Sequence, residues 1–319
     1  MRILFITSGR IGDAVLSTGL LDMLLARYPQ ARFTIACGPD PALLFAEMPA
    51  LERLLVMEKR PWLGHWYELW RQVVLTPWSL LVDLRGSAIG QVLIARRRKV
   101  LRRSMTRAHK VRQLGLQFGM VDPPAPRIWL SRRQEQVAET LLPPGAPVLA
   151  LGVGARWEPK RWPLERFAEL ARRLVAPGGI LPGARIVLLG GPEDASHASQ
   201  VLQGLTGLPT VDLVGRTDLL TAQACLCRAA LFVGNDSGLM HMAAAAGVPT
   251  LGLFGPSREE VYAPWGEKCA SVRGPASYEE LALRPEFRTG RGSLMTDLPV
   301  ATVVRAAEEL WRREGGGTT

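Results

Sequence analysis

The 319-residue chain predicts an α/β protein built from two doubly wound parallel sheets. Three observations predict it. Short apolar runs repeatedly end in glycine turns that lead into helix-type patterns, the rhythm of β–α–β units. A proline- and glycine-rich stretch, Leu142-Pro143-Pro144-Gly145-Ala146-Pro147, separates a helical pattern from a new strand. The length also exceeds what one core usually organises, so two domains are expected, residues 1–143 and 144–319.

In the first half, Arg2-Ile3-Leu4-Phe5-Ile6-Thr7 reads as a strand and Ser8-Gly9-Arg10-Ile11-Gly12-Asp13 as the turn after it. Residues 14–27 follow as a helix with Val15, Leu16, Leu20, Leu21, Met23 and Leu24 on its apolar side. Arg10 and Asp13 interrupt the apolar start too early for a secretion signal, which points to a cytoplasmic protein. Residues 32–37 make a second strand, 39–48 a helix, 51–57 a third strand, and 78–83 a fourth that runs into Leu84-Arg85-Gly86-Ser87. Between them, Trp62, Trp66, Tyr67 and Trp70 recur at helical spacing beside Arg60 and Arg71. That spacing predicts a packed helix face, with a membrane-surface edge as the alternative.

In the second half, residues 148–154 form a strand that enters the loop Ala155-Arg156-Trp157-Glu158-Pro159-Lys160-Arg161-Trp162-Pro163. Pro163 opens the helix 164–174. Residues 185–194 and 210–216 repeat the strand-to-glycine pattern, and residues 229–233 give another apolar strand. This last strand leads into Gly234-Asn235-Asp236-Ser237-Gly238-Leu239-Met240-His241, where Asp and Ser suit a helix N-terminus and Gly238 admits close approach. Residues 248–256 form one more buried strand ending in Gly255-Pro256, and residues 299–313 a final helix that could pack back on the first domain.

Composition narrows the function classes. No apolar run approaches the roughly 20 residues of a membrane helix. Cys37, Cys225, Cys227 and Cys269 make no disulfide framework, and with four scattered histidines no metal site is expected. The net charge of +10 lies wholly in the first half: residues 1–139 hold 21 Lys and Arg against 11 Asp and Glu. Nine basic residues crowd into 96–112, Arg97, Arg98, Arg102 and Arg103 among them. Nucleic acid, anionic lipid and phosphorylated glycan all suit such a run, and so does a solvated basic helix. Against nucleic acid, no recognition motif occurs and the run lacks interleaved aromatics for base stacking.

Doubly wound sheets bind ligands beyond the C-terminal ends of their strands, so two such halves predict a central cleft. Four loops then face it: 9–13, 152–162, 190–194 and 234–241. Lys160 and Arg161 precede a helix N-terminus, where a cation is unfavourable unless an anion sits there too, and a diphosphate would serve. An exposed basic pair is the alternative. Asp13, at the exit of the first strand, is placed either as a base in the cleft or as an ordinary helix cap. Asp83 has a similar position, typical of structural caps.

Arg10-Ile11-Gly12-Asp13-x-x-Leu16, Asp83-Leu84-Arg85-Gly86, Lys160-Arg161-Trp162-Pro163, Gly190-Gly191-Pro192-x-Asp194 and Asn235-Asp236-Ser237-Gly238-x-x-His241 through Gly255-Pro256 occur in the order found in glycosyltransferase family 9. The chain resembles the lipopolysaccharide heptosyltransferases of that family from about residue 2 to 265. The resemblance implies a GT-B fold, two Rossmann-like domains with parallel sheets facing the cleft. It implies inverting, metal-independent transfer of heptose from ADP-heptose to an inner-core lipopolysaccharide acceptor, with the ADP-sugar as substrate and no cofactor. Asp13 would deprotonate the acceptor hydroxyl, and Lys160 would hold the donor phosphates. Asp236 would bond the sugar, with Ser237, Gly238, His241, Gly154 and Gly190 shaping the donor pocket. Arg97, Arg98, Arg102 and Arg103 would meet the anionic lipid-linked acceptor on the cytoplasmic face of the inner membrane. Two departures bear on donor and acceptor choice: many relatives carry cysteines near 270–293, where this chain is Arg-rich, and Arg156-Trp157-Glu158 individualises the donor loop.

Overall fold

The computed structural model describes residues 1–101 and 107–315 and divides them into two compact units, Met1–Ser131 and the chain from Arg132 onward. Arg102 and Arg103 lie outside the described residues. The first unit holds a five-stranded parallel sheet, β1 (Arg2–Ile6), β2 (Arg32–Cys37), β3 (Leu51–Val56), β4 (Leu80–Asp83) and β5 (Arg98–Val100). Their spatial order is β3-β2-β1-β4-β5. Ile3, Leu4, Phe5 and Ile6 are all buried, as strands covered on both faces require. One face carries Leu4, Ile6, Ala36 and Leu81 packed with Leu69, Val73 and Trp78, whose indole donates to the Val73 carbonyl at 3.1 Å.

The helix after β1 spans Ile11–Arg27, so Gly12 and Asp13 belong to its first turn rather than to the preceding loop. An aspartate there complements the positive end of the helix dipole, which offsets the poor helix propensity of Gly12. Residues 39–48, expected as a helix, hold only a single 3-10 turn, Ala42–Phe45. Among the described residues, the basic run begins as a strand rather than a helix. Arg98–Val100 is the edge strand, with the Arg97 carbonyl already accepting from the Leu81 amide at 2.9 Å, and a helix appears only at Lys110–Leu116. Bonding along β4 decides the conformation where strong helix formers alone favour a helix.

The second unit carries β6 (Val148–Gly152), β7 (Arg185–Leu189), β8 (Thr210–Asp212), β9 (Leu231–Asn235), β10 (Thr250–Phe254) and β11 (Cys269–Arg273). All are parallel, in the order β11-β10-β9-β6-β7-β8. The helix Arg132–Leu141 packs on the helix Leu219–Leu226 of this unit, and Arg228 donates to the Leu142 carbonyl at 2.7 Å. The proline-rich stretch 142–147 therefore lies inside the second unit, and the division falls before Arg132. The last helix, Val300–Arg313, packs on β10, β11 and the helix Leu164–Val175, all within its own unit. Among the described residues, no helix is long and apolar enough to cross a membrane.

Candidate functional site

In each sheet the strand order reverses once, between β1 and β4 and between β6 and β9. The crevice beyond such a reversal is where doubly wound sheets bind ligands. At the second reversal, Gly152, Gly234 and Gly252 stand in register across β6, β9 and β10. A Cβ on Gly252 would lie 2.5 Å from the Met240 sulfur, and one on Gly152 would lie 2.7 Å from the Phe232 ring. This row of missing side chains lets the helix Gly238–Ala245 settle close over the sheet, with its N-terminus at the strand ends.

Asp236 follows β9 directly, and its amide is held by the Leu253 carbonyl at 3.1 Å. Its buried carboxylate does not cap the helix. Instead Oδ2 accepts from the Lys160 ammonium at 2.5 Å and from the Ser257 hydroxyl at 2.6 Å. Lys160 is thus no free surface cation: its charge is met by a carboxylate 76 residues away in sequence. Ser237 occupies the N-cap position but makes no side-chain cap bond, so it leaves the first-turn amides uncapped by its hydroxyl. His241 lies in that first turn and is buried.

Asn235 fixes the loop that carries Lys160. Its side-chain oxygen accepts from the Trp162 amide at 3.0 Å, and its nitrogen donates to the Val153 carbonyl at 2.8 Å. Trp162 is fully buried, edge-on to Phe167, and donates to the Leu298 carbonyl at 2.9 Å. Arg161 turns the other way, to the Ala155 carbonyl at 2.8 Å and the His197 ring at 3.3 Å. The loop is therefore tied on both sides, and Lys160 projects from a rigid base.

Gly154 and Gly190 have an immediate structural occupant. A Cβ on either would meet the Asp194 carboxylate, 2.1 Å away at Gly154 and 2.9 Å at Gly190. Asp194 accepts from the Gly191 amide at 3.3 Å, and its ordinary carboxyl pKa is raised. Burial is the main cause, reinforced by neighbouring Glu193 and opposed by the Gly191 amide, His197 and Arg161.

Two supporting residues lay beyond the sequence reading. Ser257 had one signal, its place directly after Gly255-Pro256, where Arg273 holds the Gly255 carbonyl at 2.9 Å. Asp194 as a filler of the Gly154 cradle had none, because the contact spans two loops. The two departures from the family pattern touch: Trp157 packs edge-on against Phe287 of the Arg-rich segment, with ring centres 5.0 Å apart.

In the first unit, Asp83 is fully structural in its bonding. It accepts from the amides of Arg85 (2.8 Å) and Ser87 (2.7 Å) and from the Ser87 hydroxyl (2.6 Å). Asp13 is half-buried, with Ser8 donating to it at 3.5 Å. Arg97 and Arg98 are exposed, on and beside the edge strand, and Arg98 donates to the Leu93 carbonyl. Among the described residues, no three His, Cys, Asp or Glu side chains group in a way that could hold a metal ion.

Two doubly wound units, one carrying a lysine–aspartate pair at its strand reversal, make a two-Rossmann architecture of the GT-B class. Residues 85–284 match the model of glycosyltransferase family 9 (heptosyltransferase), and the chain belongs to that family. It is 26% identical to lipopolysaccharide heptosyltransferase 2 of Salmonella typhimurium, over 99% of this chain and all of the relative. It is 28% identical to lipopolysaccharide heptosyltransferase 1 of Pseudomonas aeruginosa, over 81% of this chain and 79% of the relative. Its fold matches the solved structure of the Escherichia coli ADP-heptose lipopolysaccharide heptosyltransferase II with a TM-score of 0.75 at 22% identity, covering 99% and 100% of the two chains. The GT-B fold and glycosyltransferase class are thereby established.

Proposed function

We propose that this enzyme is an inverting, metal-independent transferase that moves heptose from ADP-heptose to an inner-core lipopolysaccharide acceptor. The observation that carries the reading is the Lys160–Asp236–Ser257 cluster beside an uncapped helix N-terminus at the β6/β9 reversal. Relatives described as heptosyltransferases, one of them for ADP-heptose, support the donor.

The chemistry follows from the groups available. A diphosphate entering the site offers Lys160 a doubly charged partner in place of Asp236 alone. The helix amides at Gly238 and Leu239 add hydrogen bonds to the same anion. Asp236, fixed by Ser257, is then positioned to accept from sugar hydroxyls, with Ser237, Gly238 and His241 shaping the pocket around them. Gly154 and Gly190 act by letting Asp194 close the floor of that pocket. Asp13 takes the proton from the acceptor hydroxyl as its oxygen attacks the anomeric carbon from the face opposite the leaving group. The bond from that carbon to phosphate oxygen breaks, the electron pair leaves with ADP, and configuration inverts. Lys160 and the helix amides stabilise the charge developing on ADP, the role a metal ion fills in other transferases. Arg97, Arg98, Arg102 and Arg103 contribute positive charge toward the anionic, lipid-linked acceptor at the inner membrane.

The test is thermal unfolding against a panel of nucleotides and nucleotide sugars, followed by a transfer assay with and without EDTA. A ligand at about 100 times its dissociation constant adds roughly 2.7 kcal/mol of stability. ADP and ADP-heptose are expected to stabilise the protein, and transfer is expected to persist in EDTA. Stabilisation by UDP, GDP or CMP compounds instead would overturn the heptose assignment, and loss of transfer in EDTA would overturn metal independence.

A further inference from the structure

The segment leaving β3 is built unlike the rest of the first unit. Trp62 and Leu63 both adopt left-handed backbone (φ 54° and 59°), and they stand 99% and 68% exposed. Bulky side chains avoid that conformation, so the surrounding chain must impose it. It turns both side chains out of the fold at the C-terminal end of the sheet, the end that also carries Asp13 and the turn after Asp83.

The helix Gly64–Val73 that follows has two apolar sides. One, Leu69 and Val73 with half-buried Trp66, packs on the sheet. The other carries Tyr67 and Trp70, about a quarter turn round on one helix face, with Leu63 just before the helix. Tyr67 is 65% exposed and Trp70 36%, and their rings stack at 5.9 Å. Lys59, Arg60 and Arg71 are exposed around this stripe, and the Arg85 guanidinium covers the Trp66 ring at 4.8 Å. The nearby acids are Glu58 and Glu68, and Glu68 is engaged by Arg71 and Gln72.

We infer that this tip and stripe form a contact with an anionic phospholipid bilayer. Trp62 and Leu63 enter the boundary between headgroups and acyl chains. Tyr67 and Trp70 lie along the interface, where amphipathic rings are favoured. Lys59, Arg60 and Arg71 reach lipid phosphates, each basic residue near the surface adding attraction. Charge complementarity selects this occupant: Lys59, Arg60 and Arg71 outnumber Glu58 and Glu68 around the stripe, and residues 1–131 as a whole hold 19 Lys and Arg against 9 Asp and Glu. The exposed apolar stripe then supplies the short-range hold. The inference rests on the reading of the acceptor as lipid-linked and adds where the enzyme meets the lipid. That place follows β3, at the opposite sheet edge from β5 with Arg97 and Arg98.

The test is co-sedimentation of the full chain with vesicles of phosphatidylcholine, with and without phosphatidylglycerol. The wild type is expected to sediment with the anionic vesicles, and the double variant Trp62→Ala/Leu63→Ala to partition at least tenfold less. Trp62→Phe is expected to retain binding but to show a smaller share of indole fluorescence quenched by brominated lipid, the remainder coming from Trp70. Both variants keep the wild-type melting temperature and the shift produced by ADP. Failure of the wild type to sediment, or full sedimentation of the double variant, would overturn the contact. Transfer to a water-soluble, delipidated acceptor reads the proposed reaction separately, since it requires no bilayer.

Discussion

The two strand reversals of this enzyme share a topology and differ in how much of their chemistry is prebuilt. At the β6/β9 end, the polar side chains at the strand ends are already committed: Lys160 and Ser257 to Asp236, Asn235 to two loop backbones, Asp194 into a glycine cradle. At the β1/β4 end, Asp83 is fully used in shaping its own turn, while Asp13 has a single long hydroxyl contact. The second unit thus presents a preorganised polar cluster, which the proposed reaction uses to hold the donor, and the first a carboxylate with one weak contact, which it uses as the base. Such an asymmetry suits a reaction in which one substrate is gripped through its diphosphate and the other is only deprotonated.

The comparison breaks most visibly if the two aspartates are exchanged in role. Asp13→Asn is expected to lower kcat by about 10²–10⁴-fold, the usual range for a lost general base, while ADP-heptose affinity stays within error. Asp236→Ala is expected to do the reverse first, weakening ADP-heptose in calorimetry. If Asp13→Asn weakens the donor as much as Asp236→Ala does, the division of labour between the units is wrong.

The next largest effect concerns rigidity. Trp162 is fully buried and bonds to Asn235 and Leu298, so Trp162→Ala should cost about 3–5 kcal/mol in the second unit. Denaturant titration should show one unit losing stability while the other keeps its midpoint. Equal losses in both would mean that the units unfold together.

How much of this was legible depended on burial. Strands such as β1 and β9 announced themselves because a sheet covered on both faces demands continuous apolar residues. Arg98–Val100 did not, since an exposed edge strand of basic residues carries neither alternation nor an apolar run. The start of the first helix was displaced because Gly12 signals a turn locally, while the helix dipole rewards Asp13 inside the first turn. The site divided in the same way. Lys160 and Asp236 were each conspicuous within their motifs, yet only the adjacency of β6 and β9 makes them partners. Ser257 belongs to no motif of its own, and only its bond to Asp236 marks it as part of the site.

Ser257 sharpens the comparison at a smaller scale. Its hydroxyl supplies one charge-assisted bond to Asp236, so Ser257→Ala should weaken ADP-heptose by roughly fivefold, about 1 kcal/mol. The defect should appear in KM rather than in kcat. An equal loss in kcat would assign Ser257 to the transition state instead of to positioning Asp236.

The smallest expected effect is also the one that tests why the site needs a buried acid beside two glycines. Burial raises the Asp194 pKa above its unfolded value, despite help from the Gly191 amide, His197 and Arg161. Below the unfolded pKa, Asp194 is protonated in both states and its stabilising share is fully present. As pH rises through the folded pKa, the carboxylate must ionise in a buried place, and that share is lost. Asp194→Asn keeps the shape that fills Gly154 but removes the charge. The melting temperature of the variant minus that of the wild type should therefore be more positive at neutral pH than at pH about 4. A difference that becomes more negative toward neutral pH would mean that the ionised Asp194 is what holds the donor loop, through Arg161 and His197. The second site would then owe its rigidity to charge as well as to packing, and the contrast with the first unit would be electrostatic in origin.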